Sequence, residues 1–319
     1  DRPITCLVNG ICGRELQYPI TPVQSPKRIL VIGGGPAGCE AALRAASRGH
    51  YVTLMEQSKA LGGQLRQVIN VPARQEFREL LRFYETNLPR AGVQVLLGKT
   101  AALEDAQGYD KVIVATGGTP NHTALPTTAD AIPVYTSRQV LSGEIMTGKN
   151  VVVIGGSYIG CFTAQYLARE GAMSPDELFF SMTHNSDTME HILDRLNHPD
   201  RSVVLLEQGK KIGLGFESGT SWPVLGELGR LGVPFLKNTL VTAITASGVD
   251  ATETKKDGTQ VVHHYGADCV VVASGVHPDD SLTQSLIAAG IDAVSIGNCH
   301  RLGKAIGAIQ AGAEIGLTV

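Results

Sequence analysis

Arg28 to Gln57 reads RILVIGGGPAGCEAALRAASRGHYVTLMEQ, and its punctuation decides the fold. The aliphatic run Ile29–Ile32 suits a strand buried on both faces of a parallel sheet. Gly33-Gly34-Gly35-Pro36-Ala37-Gly38 satisfies G-x-G-x-x-G and opens an alanine-rich amphipathic stretch. A second apolar run then ends at Glu56-Gln57, with Glu56 placed 23 residues after Gly33. Strand, turn, helix and strand in this order form a βαβ unit. In such a unit Gly33 allows the tight turn, Gly35 lets backbone approach a pyrophosphate, and Gly38 lets helix and strand pack closely. The helix N-terminus offers N–H groups and partial positive charge to phosphates. Glu56 is placed to accept hydrogen bonds from ribose hydroxyls.

The chain repeats the device. Lys149 to Gly171 reads KNVVVIGGSYIGCFTAQYLAREG, and Ser202–Gln208 later supplies the second strand with its Glu207-Gln208 ending. Here Gly155-Gly156-Ser157-Tyr158-Ile159-Gly160 departs at the second glycine. Ser157 adds a Cβ where backbone approaches phosphates, and a hydroxyl able to donate to one. Glu207 favours a free ribose 2′-hydroxyl and so NAD(H) over NADP(H), though Lys210 and Lys211 follow closely. Glu207 lies 52 residues after Gly155, so the second copy carries 29 extra residues near 172–200. Helical periodicity is read there around Met189–Leu196. Its His184, His191 and His198 are spaced by seven, about 10 Å apart on a helix, too far to share one metal ion.

A third strand closes each half: KVIVATGG at Lys111–Gly118 and DCVVVASG at Asp268–Gly275. The expected fold is α/β, with two Rossmann-like dinucleotide-binding domains, the first discontinuous. The expected boundaries are an arm over 1–25, an FAD-binding domain over 26–130 and 278–319, and an NAD(H)-binding domain over 131–277. The tail holds a candidate amphipathic helix over Arg301–Gly312.

Composition narrows the function. Lys and Arg number 27 against 30 Asp and Glu, net −3, which argues against a nucleic-acid partner. Glycine is abundant, 37 of 319 residues against about 7% usually, as tight turns around nucleotides require. No run approaches the ~20 apolar residues of a membrane span. The opening Asp1-Arg2-Pro3 carries no leader and no initiator Met, which suggests a fragment, a processed chain or a domain of something longer. The six cysteines never form C-x-x-C, so no dithiol or zinc ribbon is indicated. Scattered single thiols fit a reducing compartment, and a cytoplasmic location is expected. Cys39 and Cys161, at equivalent positions after the two turns, read as packing residues.

Two dinucleotide sites in one chain suggest FAD in one and NAD(H) in the other, with hydride passing between nicotinamide and flavin. The residues at this point resemble the flavin- and nicotinamide-binding half of the 2,4-dienoyl-CoA reductase, enoate reductase and trimethylamine dehydrogenase family, over nearly the whole chain. Leu61-Gly62-Gly63-Gln64-Leu65 matches that family's LGGQL loop along the nucleotide, and Ala115-Thr116-Gly117 its ATG motif near the FAD. Gly275 closes the corresponding strand of the second half. Gly213–Gly219 resembles the loop after the second-domain strand. Gly297-Asn298-Cys299 stands where related flavoproteins place Gly-Asp to hold the ribityl chain, with Asn298 replacing the acid. Tyr158 resembles the tyrosine that covers the flavin until nicotinamide arrives, and a plain packing role is the alternative.

Cys6-Leu7-Val8-Asn9-Gly10-Ile11-Cys12-Gly13-Arg14-Glu15 resembles the family's C-x-x-N-P-x-x-G-x-E, with Gly10 for Pro. The resemblance implies that Cys6 is the last of four [4Fe–4S] ligands, the other three lying upstream, and that FMN sits on an N-terminal Old Yellow Enzyme-like barrel domain or subunit. Three readings compete. In the first, an oxidoreductase module passes hydride from NADH to FAD and electrons onward, for reduction of a small-molecule enoate or dienoyl substrate. The second is a structural ADP-binding module of an amine dehydrogenase-like enzyme. The third is a free-standing NADH:acceptor flavoreductase.

Overall fold

The computed structural model describes residues 4–121, 124–217 and 219–319. Ser218, inside the loop singled out above, and Asp1-Arg2-Pro3 lie outside the described residues. The first elements are β1 (Arg28–Ile32), α1 (Pro36–Ser47), β2 (Tyr51–Glu56), α2 (Leu65–Val68), α3 (Phe77–Arg90), β3 (Gln94–Leu97), β4 (Lys111–Val114) and β5 (Thr119–Pro120). Then come β6 (Val134–Thr136), α4 (Ser137–Leu141), β7 (Asn150–Ile154), α5 (Tyr158–Glu170), α6 (Pro175–His184), α7 (Met189–Asn197), β8 (Ser202–Leu206), α8 (Ser221–Arg230) and β9 (Phe235–Leu236). The chain closes with β10 (Thr239–Ile244), β11 (Gly248–Thr254), β12 (Gln260–Gly266), β13 (Cys269–Val272), β14 (Val276–His277), α9 (Ser281–Ala288), β15 (Ala293–Ser295) and α10 (Ala305–Thr318).

These elements form two units. Unit 1 runs to Ile69, continues over Gln75–Asn121 and returns from Val276 to Val319; unit 2 takes Asn70–Arg74 and the stretch ending at Gly275. Each is built on a five-stranded parallel sheet, ordered β15-β4-β1-β2-β3 in unit 1 and β6-β13-β7-β8-β9 in unit 2. In both, the strand carrying the glycine turn lies at the centre. That is the doubly wound arrangement, and the fold is α/β with two Rossmann-like halves.

Strand alternation sends one set of side chains to each face. In unit 1, Ile29 and Val31 meet α1 and α3, while Leu30 and Ile32 meet Leu286 of α9. In unit 2, Val151 and Val153 meet α5 and α8. Its opposite face is covered by an antiparallel sheet, β10-β11-β12, through Val241, Ile244 and Val249. Helix α10 lies against α1 so closely that a Cβ at Gly312 would stand 2.3 Å from the Ala37 carbonyl oxygen, and one at Gly316 2.5 Å from that of Ala41.

Two segments differ from the sequence reading. The extra 29 residues hold two helices rather than one. Helix α6 has a capping box, in which Ser174 Oγ accepts from Glu177 N at 3.2 Å and Glu177 Oε2 accepts from Ser174 N at 2.7 Å. The tail helix begins at Ala305, not Arg301, because Asn298 Oδ1 accepts from Gly303 N at 2.9 Å and holds that stretch as a loop. Among the described residues no helix is long and apolar enough to cross a membrane.

Candidate functional site

The first turn connects β1 to α1. Gly33 has φ +109°, and a Cβ there would stand 2.4 Å from the Ala115 carbonyl oxygen; one at Gly38 would stand 1.9 Å from that of Gly33. Both positions are closed to any side chain. Gly35 differs: its backbone is ordinary extended chain (φ −74°, ψ 179°) and a Cβ would meet nothing within 4 Å. The space beside Gly35 is therefore an open cradle at a helix N-terminus that no side chain caps. Pro36 and Ala37 continue directly into the first turn of α1.

Glu56 closes the turn from below. It is 7% exposed, with Oε2 accepting from Gly34 N at 2.6 Å and Oε1 from Ser58 N at 2.7 Å. Each oxygen keeps a further lone pair. Gln57 beside it is exposed. From above, Gly62 N donates to Gly34 O at 2.7 Å, and a Cβ at Gly63 would come 3.2 Å from Gly35 Cα. Leu65 is buried and Gln64 exposed, so the loop presents its polar member outward. Thr116 is exposed after β4, and Gly117 has φ +84°. Gly297 has φ +67° and approaches the Ala37 methyl, since its own Cβ would stand 3.0 Å away. Turn, acid, LGGQL loop, Thr116-Gly117 and the Gly297-Asn298 corner thus gather at the carboxyl ends of β1, β2, β4 and β15, the crevice where open α/β sheets bind ligands.

Unit 2 repeats this with small changes. Cβ atoms at Gly155 and Gly160 would stand 2.7 Å from the Ala273 oxygen and 1.7 Å from the Gly155 oxygen. Glu207 Oε2 accepts from Gly156 N at 2.5 Å and Oε1 from Gly209 N at 2.6 Å. Gly213 N donates to Gly156 O at 2.6 Å, as Gly62 does to Gly34. Gly275 has φ +82°, matching Gly117. Ser157 has the backbone of Gly35 (φ −66°, ψ 175°), so its side chain brings no strain. A serine at a helix N-cap ordinarily accepts from the first turn. Ser157 makes no such bond, and its buried Oγ has no partner in the chain. An unpartnered hydroxyl beside a helix N-terminus fits a phosphate oxygen.

Tyr158 is 37% exposed and rests on Gly215, whose Cβ would stand 2.8 Å from its ring. It meets Phe162 and Phe216 edge-on at 6.3 and 6.4 Å between ring centres. Ile159 is partly buried and packs against the unit 2 core. The guanidinium of Arg74 stands 5.2 Å over the Phe162 ring. The sequence reading missed this cluster; Arg74 lies far away along the chain, and no motif marks it.

The remaining candidates separate cleanly. Cys39 Sγ donates to Gly34 O at 3.2 Å and Cys161 Sγ to Gly156 O at 3.7 Å. Burial drives both thiols upward, Cys161 to about 12 and Cys39 further, so they buttress the turns as inert groups. Asp187 partners His191 and Asp194 partners His198, while His184 rests on Phe180. Among the described residues no three His, Cys, Asp or Glu side chains converge as a metal site. Cys6 is a free, partly exposed thiol. Its chemistry fits one ligand of a cluster that needs four, and among the described residues no three His, Cys, Asp or Glu side chains converge to complete one.

The pyridine nucleotide-disulphide oxidoreductase family matches residues 27–294. A metal reductase of Desulforamulus reducens is 34% identical over 292 residues, 89% of this chain and 43% of that protein. An NADH oxidase of Thermoanaerobacter brockii is 33% identical over 319 residues, 98% of this chain and 44% of that protein. The chain therefore spans less than half the length of these curated relatives. A solved 2-naphthoyl-CoA reductase complex superposes with a TM-score of 0.83 at 28% identity, over 99% of this chain and 43% of that one. With two glycine turns, each tied to an acid through its second glycine, and this match over most of its length, the chain belongs to the pyridine nucleotide-disulphide oxidoreductase family, as an NAD(P)H–flavin oxidoreductase module of the kind found in enoate reductase-like enzymes.

Proposed function

We propose that unit 1 holds FAD, that unit 2 holds NAD(H), and that the module feeds electrons to a partner domain outside this chain. The observation that carries the reading is the repeated cradle: two turns of the same geometry, each with its acid tied to the second glycine. Bound together, the two nucleotides supply hydride transfer from nicotinamide to flavin. This chain's residues do the holding. The first turns of α1 and α5 offer backbone N–H groups to pyrophosphates. Glu56 and Glu207, fixed by two backbone donors each, use their remaining lone pairs on ribose hydroxyls. Ser157 donates its hydroxyl to a phosphate oxygen. Asn298, its Oδ1 bound to Gly303 N, presents its amide N–H groups to the ribityl chain. Tyr158 is the gating side chain.

Beyond the module, the reading assigns Cys6 as one ligand of a [4Fe–4S] cluster completed by the rest of the enzyme. An FMN-bearing barrel domain or subunit then reduces an enoate or dienoyl substrate. The short span of this chain against its relatives, and the 2-naphthoyl-CoA reductase likeness, support that extension.

One observation favours a second reading, a structural ADP site without redox work: the Ser157 Cβ narrows the unit 2 cradle that Gly35 leaves open. An absorbance spectrum before and after anaerobic NADH separates the two. Oxidised-flavin bands that bleach with NADH, and less with NADPH, are expected. A colourless protein that releases ADP on denaturation would replace the first reading with the second.

A further inference from the structure

The segment that follows Cys6 is fastened to unit 1 by contacts that the nucleotide sites do not need. Gly10 and Ile11 are buried, and Ile11 packs with Ala313 and Leu317 of α10. Gly10 lies in the groove between α1 and α10: a Cβ there would meet the Ala313 Cβ at 2.8 Å, the Ile309 carbonyl oxygen at 3.0 Å and Glu40 Oε1 at 3.1 Å. Glu40 is fully buried on α1, accepting from Arg44 Nε at 2.7 Å and from the Tyr84 hydroxyl at 3.0 Å. Arg44 also donates to Asn9 Oδ1 at 3.3 Å, and the same oxygen accepts from Ile11 N at 3.3 Å. Arg14 donates to Gly10 O at 3.0 Å and pairs with Glu314 of α10. A carboxylate with no exposure persists only where its partners are fixed; here they are Tyr84 and Arg44, and Arg44 in turn holds Asn9 of the segment.

Helix α1 starts at the unit 1 glycine turn, and the Gly297 corner that leads to α10 touches its first turn. A strap across both helices therefore fixes the chain near Cys6 with respect to the nucleotide cradle. We propose that Asn9–Arg14 is a positioning strap, held by the Glu40–Arg44 pair and the Gly10 groove, that sets the Cys6 end of the chain in register with unit 1. Asn9, Gly10 and Arg44 are its positioning residues. The proposal rests on the reading that electrons leave through the Cys6 end.

The test uses the full-length enzyme with Asn9→Ala, Gly10→Ala and Asn9→Asp, the last keeping the Oδ1 acceptor. Amide exchange of residues 9–18 is followed by mass spectrometry beside the rate of flavin reduction by NADH, the rate of flavin reoxidation by the downstream substrate and the low-temperature EPR spectrum of the reduced enzyme. Asn9→Ala and Gly10→Ala are expected to speed exchange of this segment at least tenfold. They should slow reoxidation and broaden the cluster signal while leaving reduction by NADH unchanged, and Asn9→Asp should restore all three readouts. Unchanged exchange in both disrupting variants overturns the strap. Faster exchange with unchanged reoxidation overturns its positioning role. An enzyme without iron in which exchange still rises refutes the iron–sulfur reading and upholds the strap as the anchor of this segment.

Discussion

The two glycine turns are copies that share three glycines and differ between them, with Gly35-Pro36-Ala37 in unit 1 and Ser157-Tyr158-Ile159 in unit 2. Gly33 and Gly155 approach an alanine carbonyl on the neighbouring strand, Gly38 and Gly160 approach the first glycine's own oxygen, and each acid binds the second glycine's N–H. Where unit 1 has Gly35, unit 2 has Ser157 on the same backbone conformation. The outer glycines are thus required by the protein's own backbone, and the middle position answers to whatever lies beside it. Substitutions that the chain itself forbids should unfold a unit. Substitutions that only a ligand feels should change affinity and leave stability alone.

The largest effect tests the first half of that rule. Gly38→Ala and Gly160→Ala each place a methyl inside 2 Å of a carbonyl oxygen, and each should cost its unit about 3 kcal/mol through overpacking. Thermal denaturation followed by circular dichroism measures this; an unchanged melting temperature would show that the turn can yield. Next come the acids. Glu207→Gln should weaken NADH binding by about 2 kcal/mol, since hydrogen bonds to a charged group are worth about 1.5–3 kcal/mol, and should narrow the preference for NADH over NADPH. Glu56→Gln should lower FAD retention with no effect on the nicotinamide preference. Equal effects on both cofactors would break the assignment of one nucleotide to each unit.

Ser157→Ala is smaller. Loss of one neutral hydrogen bond is worth about 1 kcal/mol, near fivefold in the NADH dissociation constant by titration. Gly35→Ser should lower FAD retention while stability stays within about 0.5 kcal/mol, because nothing in the chain stands within 4 Å. The smallest effect belongs to unit 1 alone. His50 is buried, accepting from Lys27 N at 3.0 Å through Nδ1 while Nε2 meets Val319 O at 3.1 Å, and burial lowers its pKa. The folded pKa lies below the unfolded one. The stabilisation is therefore complete above about pH 6.5 and is lost as pH falls through the folded value, at no more than about 1.4 kcal/mol per pH unit for one proton. A pH series of melting curves should show unit 1 losing stability on acidification, and His50→Gln should flatten that slope.

Much of this was legible in the sequence because the decisive constraints are local. The close approach of the helix to the turn and the acid 23 residues on are set by contacts within one βαβ unit, and such contacts leave fixed spacings. The LGGQL and ATG stretches were legible for the same reason. Long-range contacts leave no spacing. Arg74 over Phe162 and Glu40 beneath Gly10 join residues far apart in the chain, and only the folded structure brings them together. The α6 capping box is a local signal, written in Ser174-Pro175-Asp176-Glu177. The Asn298 hydrogen bond that holds the loop before α10 depends on a rotamer, which no motif encodes.

The chain leaves unit 1 at Thr119–Pro120 and re-enters at Val276–His277, and these two strands pair directly, β5 against β14. Most of unit 2 is therefore a continuous stretch that a ribosome finishes before unit 1 is complete. Unit 1 must wait for β15 to pair with β4, joining Ala293 to Val112, and for α10 to cover α1. Until then β4 presents an unpaired edge, the kind of surface on which nascent chains associate wrongly. Late pairing across so long a loop is also slow. The order of synthesis makes unit 2 ready first, and unit 1 is the last to close.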